Sequence, residues 1–201
     1  MADASIMWFR RDLRLSDNRA LLAACNAGGS VIPLFIYDEV VETLGTAPAW
    51  RLGLGVEHLS AALEGMGSQL ILRRGDALSV MKELVSETGA TAIHWSRAYD
   101  PDSQARDKAV KAWAKEAGLT AQSHTGHLLF EPWNVETKTG GFYKVYTPMW
   151  KAVRGNDLPE PERAPPQISA PDVWPRSEEL RDWALGSGMR RGAQIVRPYV
   201  R

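Results

Sequence analysis

The chain has 201 residues, of which 44% are hydrophobic and 24% are charged, and its 24 Lys and Arg balance its 24 Asp and Glu. This length suits one domain with an appendage or two small domains, and a core of that size folds without disulfide or metal support. The zero net charge argues against a protein that binds nucleic acid through the electrostatic field of the whole chain.

Short apolar runs alternate with longer helical patterns in the first two thirds of the chain. The predicted strands are 5–9, 31–38, 69–76, 91–96 and 119–124, and the predicted helices between them are 17–28, 50–67, 77–89 and 101–118. Asp17 and Asp76 are placed to cap the helices that follow them, and Gly28 and Gly118 follow helix ends. Such alternation indicates a parallel sheet with helices on both faces.

The pattern predicts an α/β fold: a Rossmann-like, doubly wound, five-stranded parallel sheet with strand order 3-2-1-4-5. We expect this domain to cover residues 1–130. An aromatic-rich extension at 131–156 follows, with a short helix near Pro148 that packs on the domain. Residues 157–201 are predicted to be a proline-rich interdomain linker and the start of a further domain that the chain does not contain.

Two charged loops are predicted to face each other across a crevice. Ligands of open parallel sheets bind beyond the carboxyl ends of the strands, where the strand order reverses. In the predicted order this point lies between the first and fourth strands, so the loops 10–17 and 96–102 line it. Their charges and flat rings suit an aromatic ligand with polar edges. The residues expected at the crevice are Arg10, Arg11, Arg14, Arg97, Asp12, Asp17, Asp38, Asp100, Trp8, Tyr37, Trp95 and Tyr99.

A loop that is merely rigid explains the same residues equally well. In that interpretation Asp12 and Arg14 pair to lock the loop, and Asp17 only caps a helix. Trp8 and Trp95 lie within strands, where a core position is the more common role. The residues alone leave a ligand crevice and a rigid loop as even alternatives.

Other site chemistry finds little support in the sequence. The first loop has no glycine, and the single Gly-x-Gly at 53–55 lies inside a helical pattern, so a phosphate-binding loop is not predicted. His124 and His127 have the spacing of metal ligands but lack a further ligand, so ordinary loop histidines are favoured. We predict no catalytic residue and no metal site.

The single cysteine, Cys25, excludes an internal disulfide and is expected to be a small hydrophobic residue of a buried helix face. The N-terminus has no signal-peptide pattern, and no apolar run is long enough to span a bilayer. We therefore expect a cytoplasmic protein with no membrane partner.

Three segments resemble signatures of the DNA photolyase/cryptochrome family. They are WFRRDLRLSDN (8–18), WSRAYDP (95–101) and GGFYKVYTPMWKA (140–152). The resemblance implies the N-terminal α/β domain of a deoxyribodipyrimidine photolyase. That domain carries a light-harvesting antenna for the FAD-dependent splitting of cyclobutane pyrimidine dimers in DNA.

The resemblance also implies cofactors and partners. The antenna of this flavoprotein family is FMN, a deazaflavin or a reduced folate, whereas FAD belongs to a C-terminal domain that also contacts UV-damaged DNA. That domain is the expected partner, so this chain alone is expected to be inactive as a lyase and to be prone to self-association. The alternatives are a cryptochrome-type blue-light signalling protein and a free-standing nucleotide-binding α/β module.

The resemblance implies a set of antenna-binding residues. They are Arg10, Arg11, Asp12, Arg14, Tyr37, Asp38, Arg51, Trp95, Arg97, Tyr99, Asp100 and Pro101. Arg51 is included because it is similar in position to an arginine near the family's antenna pocket. Ser96 and Asp100 stand where the family usually has Asn and Glu, which favours FMN or a deazaflavin over a folate.

Overall fold

The computed structural model describes residues 3–199. Residues 1 and 2 of the predicted first domain, and 200 and 201 at the end of the predicted last one, lie outside the described residues. A five-stranded parallel sheet of order 3-2-1-4-5 confirms the predicted fold class. Its strands are β1 (Ala4–Phe9), β2 (Ser30–Tyr37), β3 (Ile71–Arg74), β4 (Ala92–Ser96) and β5 (Thr120–His124).

Helices follow the strands and continue beyond the sheet. They are α1 (Arg19–Asn26), α2 (Glu39–Glu42), α3 (Thr46–Glu64), α4 (Ala77–Thr88), α5 (Pro101–Glu116), α6 (Tyr146–Val153) and α7 (Arg191–Val196). Helix α6 confirms the short helix predicted near Pro148. The sequence did not predict α2, a single turn, and α3 begins at Thr46 instead of residue 50. Within residues 3–199, no helix has both the length and the apolar character needed to cross a bilayer.

The cap of α1 differs from the prediction by one residue. The backbone N–H of Leu21 donates to Oδ1 of Asn18 at 3.0 Å, so Asn18 is the N-cap. Asp17 has φ of 49°, a left-handed turn conformation that precedes the helix. The predicted cap at Asp76 is confirmed, because its Oδ2 accepts a hydrogen bond from the backbone N–H of Ser79 at 2.8 Å.

Helices cover both faces of the sheet, which explains why its central strands are apolar without interruption. Met7 and Phe9 of β1 pack with α1 and α3, whereas Ile6 and Trp8 pack with α4 and α5. Alternate residues of one strand thus enter two separate cores. Cys25 is half-buried beside the first of them, and burial raises the pKa of its thiol.

The proline-rich segment 157–176 has no helix or strand, but it lies against the α/β domain. Ile168 is only 2% exposed and belongs to the core beside α1 and α3. The carbonyl of Ser169 accepts a hydrogen bond from the N–H of Val31 at 2.8 Å. The segment therefore lacks regular secondary structure but is anchored at defined points.

A short segment, residues 176–183, runs along the free edge of β3; we call it the edge strap. The N–H of Leu72 donates to Oγ of Ser177 at 3.0 Å, and the N–H of Glu178 donates back to the carbonyl of Leu72 at 2.9 Å. An edge strand otherwise presents unpaired backbone groups to other chains. The edge strap therefore protects this side of the sheet.

Candidate functional site

A cavity of about 920 Å³ opens beyond the carboxyl ends of β1, β2 and β4. The lining includes Arg10, Arg11, Leu13 and Arg14 of the first loop, residues 98–100 of the second, and several residues between 38 and 55. The two loops that the sequence predicts at the crevice therefore line one cavity. A volume of this size matches cavities that hold cofactor-sized ligands.

The cavity contains part of the predicted residue set. The members that line it are Arg10, Arg11, Arg14, Asp38, Arg51, Tyr99 and Asp100, and the members that do not are Asp12, Tyr37, Trp95, Arg97 and Pro101. The second group either locks the loops or belongs to the core. Both interpretations drawn from the sequence, a ligand crevice and a rigid loop, thus describe part of the same region.

Asp12 is buried and ties the first loop to the end of β4. Its Oδ2 accepts a hydrogen bond from Oγ of Ser96 at 2.6 Å, and its Oδ1 accepts one from the backbone N–H of Arg10 at 3.0 Å. The guanidinium of Arg14 does not pair with the Asp12 carboxylate. It donates instead to the carbonyls of Asp17 at 2.8 Å and Gly126 at 3.0 Å. Asp12 therefore does not line the cavity, but it fixes the conformation of the loop that does.

Tyr37 points away from the cavity. Its ring lies 5.4 Å from that of Trp183 and 4.4 Å from the guanidinium carbon of Arg74. Side chains alternate along a strand, so Asp38, the next residue, is the one that reaches the cavity.

Arg97 also points away, because Glu131 draws it to the following loop. Its Nη1 lies 2.7 Å from Oε1 of the buried Glu131, and its guanidinium carbon lies 5.1 Å from the ring of Trp133. The hydroxyl of Tyr99 donates to the same carboxylate at 2.9 Å. Burial raises the pKa of Tyr99, and Glu131 raises it further. Arg97 and Glu131 thus fix the loop that follows β5.

A buried network of two arginines and two aspartates supports the cavity; we call it the Arg–Asp network. Its members are Arg10, Asp38, Arg106 and Asp107. Nη1 of Arg10 lies 2.7 Å from Oδ1 of Asp107, and Arg106 pairs with Asp38. Oδ2 of Asp107 also accepts a hydrogen bond from Nε1 of Trp95 at 2.8 Å, which places Trp95 in the core. Pro101 only begins α5, the helix that carries Arg106 and Asp107.

Sequence reasoning missed Arg106 and Asp107, although a signal for Asp107 was present. Ser103, Asp107, Val110 and Ala114 repeat at helical spacing along the buried stripe of α5. Two polar residues on an otherwise apolar stripe indicate buried partners or a site.

The Gly-x-Gly at 53–55 has a packing role instead of a phosphate-binding one. A Cβ atom on Gly55 would lie 2.8 Å from Cδ1 of Leu13, which lines the cavity. A Cβ atom on Gly53, on the other side of α3, would lie 3.1 Å from Cβ of Leu185. The two glycines therefore let α3 approach the first loop and the C-terminal segment closely.

The two histidines of the HTGH segment have different surroundings. His127 lines the cavity, where burial lowers its pKa; Asp12 opposes that shift, and the nearby arginines add to it. Nε2 of His124 lies 3.1 Å from Nδ1 of His94, on β4. His94 is buried, and burial followed by the charge of His124 lowers its pKa to about 4.

The His94–His124 pair predicts a pH dependence of stability. The pKa of His94 falls from 6.5 in the unfolded chain to about 4 in the fold, so the unfolded state binds more protons between these values. The free energy of unfolding is therefore expected to rise from about pH 4 to pH 6.5 and then level off. The lowered pKa of His124, which burial, Arg97 and Lys111 cause, acts in the same direction.

Urea denaturation across this pH range checks the expectation. His94→Phe is expected to reduce the slope, whereas His58→Gln, at an exposed position of α3, is the matched control and should keep it. Equal slopes in wild type and His94→Phe would contradict the assignment.

The charges of the cavity divide into paired and free groups. Arg10 and Arg106 are held within the Arg–Asp network. Arg11 and Arg51 line the cavity at exposed positions, and their side chains form no hydrogen bond or ion pair with any residue of 3–199. The inner part of the cavity is thus internally neutralised, and its rim offers two free cations.

Comparisons with known proteins agree with this architecture. The family model described as DNA photolyase matches residues 5–167. A deoxyribodipyrimidine photo-lyase of Agrobacterium fabrum is 49% identical over 181 residues, which cover 90% of this chain and 38% of the relative. Cryptochrome-2 of Arabidopsis thaliana is 36% identical over 191 residues, which cover 90% of this chain and 31% of the relative.

Solved structures show the same similarity. A class III photolyase from Agrobacterium tumefaciens superposes with a TM-score of 0.87 at 47% identity, covering 91% of this chain and 38% of that one. An archaeal photolyase from Sulfolobus tokodaii, described with two FAD molecules and a novel light-harvesting cofactor, gives 0.72 at 26% identity, covering 89% and 40%. The chain thus spans well under half the length of these relatives. Since the family model matches most of its residues, the chain belongs to the DNA photolyase family.

Proposed function

We propose that this chain is the antenna-binding domain of a deoxyribodipyrimidine photolyase and that the cavity beyond β1, β2 and β4 holds the chromophore. The observation that carries this proposal is the cavity itself, of about 920 Å³, at the point where the strand order reverses. Its position at the carboxyl ends of the central strands is where open α/β sheets bind cofactors.

The lining fits a flat ligand that carries negative charge. Apolar contact comes from Leu13, Ile36, Val40, Val41, Leu44 and Leu52, and the cations at the rim are Arg11 and Arg51. Planar rings bury well against such a surface, and free guanidinium groups bind phosphate or carboxylate. FMN, a deazaflavin and a reduced folate share this chemistry. Among these three chromophores a flavin-type antenna is favoured, because Ser96 and Asp100 stand where the family usually has Asn and Glu.

The residues of the chain have separate tasks in this proposal. Arg11 and Arg51 bind the anionic part of the chromophore, and the apolar wall excludes water from its ring. Asp38 caps α2 by accepting a hydrogen bond from the N–H of Val41 at 3.2 Å, so the Arg–Asp network holds that wall in place. The chromophore, when bound, absorbs light and passes the energy on.

An exposed apolar surface supports a C-terminal partner. The side chains exposed on the extension that follows β5 are Leu128, Leu129, Trp133, Phe142, Val145, Tyr146 and Trp150. Monomeric proteins rarely expose so many large apolar groups in one segment. We propose that an FAD-binding C-terminal part, as the family has, covers this surface and contacts damaged DNA, and that 131–156 and 157–201 are the connection to it. The chain alone is then inactive and prone to self-association.

A photolyase is favoured over a cryptochrome, because identity to the photolyase relative is 49% and identity to the plant cryptochrome is 36%. A free-standing nucleotide module would need a phosphate loop, and the first loop has no glycine. The cytoplasmic location stays a prediction of the sequence.

A binding titration tests the proposed function. The purified chain is titrated with FMN, a deazaflavin, a reduced folate and ATP, and ligand fluorescence and thermal shift are measured. We expect FMN or the deazaflavin to bind, and the double variant Arg11→Gln/Arg51→Gln to weaken binding by about tenfold or more through loss of two charge-assisted contacts. Arg181→Gln, at a residue whose side chain is 82% exposed outside the cavity, is the matched control. Binding of ATP alone, or of none of the four, would overturn the proposal.

A further inference from the structure

Trp8 forms part of the cavity wall and lies beside two cations. Its side chain is 1% exposed, yet it contributes to the lining of the cavity. The guanidinium carbon of Arg10 lies 4.9 Å from the centroid of its ring, and that of Arg106 lies 4.8 Å from it. One cation over an aromatic ring is common, whereas two on a ring beside a cofactor-sized cavity call for an explanation.

The neighbouring Trp95 differs in having a carboxylate at its indole N–H, although Nζ of Lys111 also lies 5.5 Å from its ring centroid. Its ring centroid is 6.0 Å from that of Trp8, and its Nε1–H donates to a carboxylate oxygen of Asp107 at 2.8 Å. An indole that loses an electron becomes strongly acidic, so a carboxylate acceptor favours its oxidation, whereas nearby cations oppose it. Trp8 lies on the cavity wall, and the indole whose N–H has a carboxylate acceptor lies behind it.

This contrast bears on any light-absorbing ligand in the cavity. A photoexcited flavin-type ring is an oxidant, and an indole beside it can donate one electron. The products are a ligand radical anion and an indole radical cation, and the excitation energy is lost. A hole formed on Trp8 would then move to Trp95, whose proton Asp107 is placed to accept.

We propose that Arg10 and Arg106 prevent Trp8 from donating an electron to the photoexcited antenna and so preserve the excited state for energy transfer. The inference rests on the proposed function. The two guanidinium groups lie about 5 Å from the ring and raise the free energy of a radical cation formed there. Their ion pairs with Asp107 and Asp38 reduce this effect but do not reverse it as long as both pairs are intact. Asp107 and Asp38 hold these guanidinium groups in place through ion pairs.

The fluorescence lifetime of FMN bound to the 201-residue chain tests this role. Arg106→Gln is expected to shorten the lifetime by about threefold or more, because it removes one of the two charges at the ring. Arg106→Lys, which keeps the charge, should stay near the wild-type value. Adding Trp8→Phe to Arg106→Gln should restore the lifetime, because it removes the electron donor.

Trp8→Phe alone provides a test that does not depend on how well Arg106→Gln folds. If Arg10 and Arg106 already prevent electron donation by Trp8, this variant keeps the wild-type fluorescence lifetime of bound FMN. A lifetime several times longer would show that Trp8 quenches in the native chain and would overturn the inference. An unchanged lifetime in Arg106→Gln with FMN fully bound would overturn it as well.

The binding titration separates this inference from the proposed function. If a deazaflavin binds and FMN does not, the lifetime of the deazaflavin is measured in the same variants. If none of the chromophores binds, the proposed function fails and the inference fails with it. If a chromophore binds and its fluorescence lifetime is the same in wild type and in these variants, only the inference fails.

Discussion

Replacing Asp107 with alanine is expected to lower the free energy of unfolding by about 3–5 kcal/mol. Asp107 is 8% exposed and makes a 2.7 Å ion pair with Arg10 and a 2.8 Å hydrogen bond with Trp95. The variant leaves a buried guanidinium without its carboxylate and an indole N–H without its acceptor. Both groups lose water on folding; the indole N–H is then left without an acceptor, and the guanidinium keeps only its hydrogen bond to the carbonyl of Ser96. Urea denaturation followed by far-UV circular dichroism measures the change.

Asp102→Ala is the matched control for this prediction. Asp102 belongs to the same helix, α5, but lies at an exposed position of its first turn. It contributes there only through the helix dipole, so we expect a loss below about 1 kcal/mol. Similar losses in Asp107→Ala and Asp102→Ala would show that the Arg–Asp network does not stabilise the fold.

The sheet was predictable because its signals are local. The three central strands, β2, β1 and β4, are short runs of mainly apolar residues that are buried on both faces, whereas the edge strands β3 and β5 are more polar. The intervening helices have cap or end signals of their own. Right-handed crossovers leave few topologies, and the usual order among them, 3-2-1-4-5, is confirmed by the pairing of β1 with β2 and β4. The one-residue error at the cap of α1 arises because Asp17 and Asn18 are both good capping residues. Sequence alone does not say which of the two turns left-handed.

The cavity was predictable in position and only partly in composition. Strand order places the two loops at one edge, but the direction of each side chain depends on its partners. Arg97 and Arg14 look equivalent in sequence, yet Glu131 draws Arg97 to the next loop whereas Arg14 stays at the cavity. Glu131 is far from Arg97 along the chain, so no local pattern reveals the pair. Strand alternation, in contrast, does separate Tyr37 from Asp38.

The C-terminal segment shows why composition is a poor guide to burial. Proline and polar residues dominate 157–176, and the few apolar residues after it do not suggest a core of their own. Ile168 and Trp183 are nevertheless buried, because the α/β domain offers them a surface. A sparse apolar residue can complete another element's core, and only the tertiary structure reveals which one.

Trp183→Ala is therefore expected to destabilise the α/β domain, with a loss of about 3–5 kcal/mol in the free energy of unfolding. Trp183 is 5% exposed, its ring lies 6.0 Å from that of Phe35 and 5.4 Å from that of Tyr37, and its Nε1–H donates to Glu178 at 2.7 Å. Removing the indole leaves a cavity beside β2. It also removes a hydrogen bond that positions Glu178, a residue through which the edge strap bonds to β3.

Trp150→Ala removes the same side chain from α6, where Trp150 is 47% exposed, so we expect a loss of less than about 1 kcal/mol. Urea denaturation compares the two variants, and light scattering at rising protein concentration reports whether β3 has become an open edge. We expect Trp183→Ala alone to associate through that edge beyond the wild-type level. Equal stability of the two variants would mean that residues 176–183 lie on the α/β domain without stabilising it.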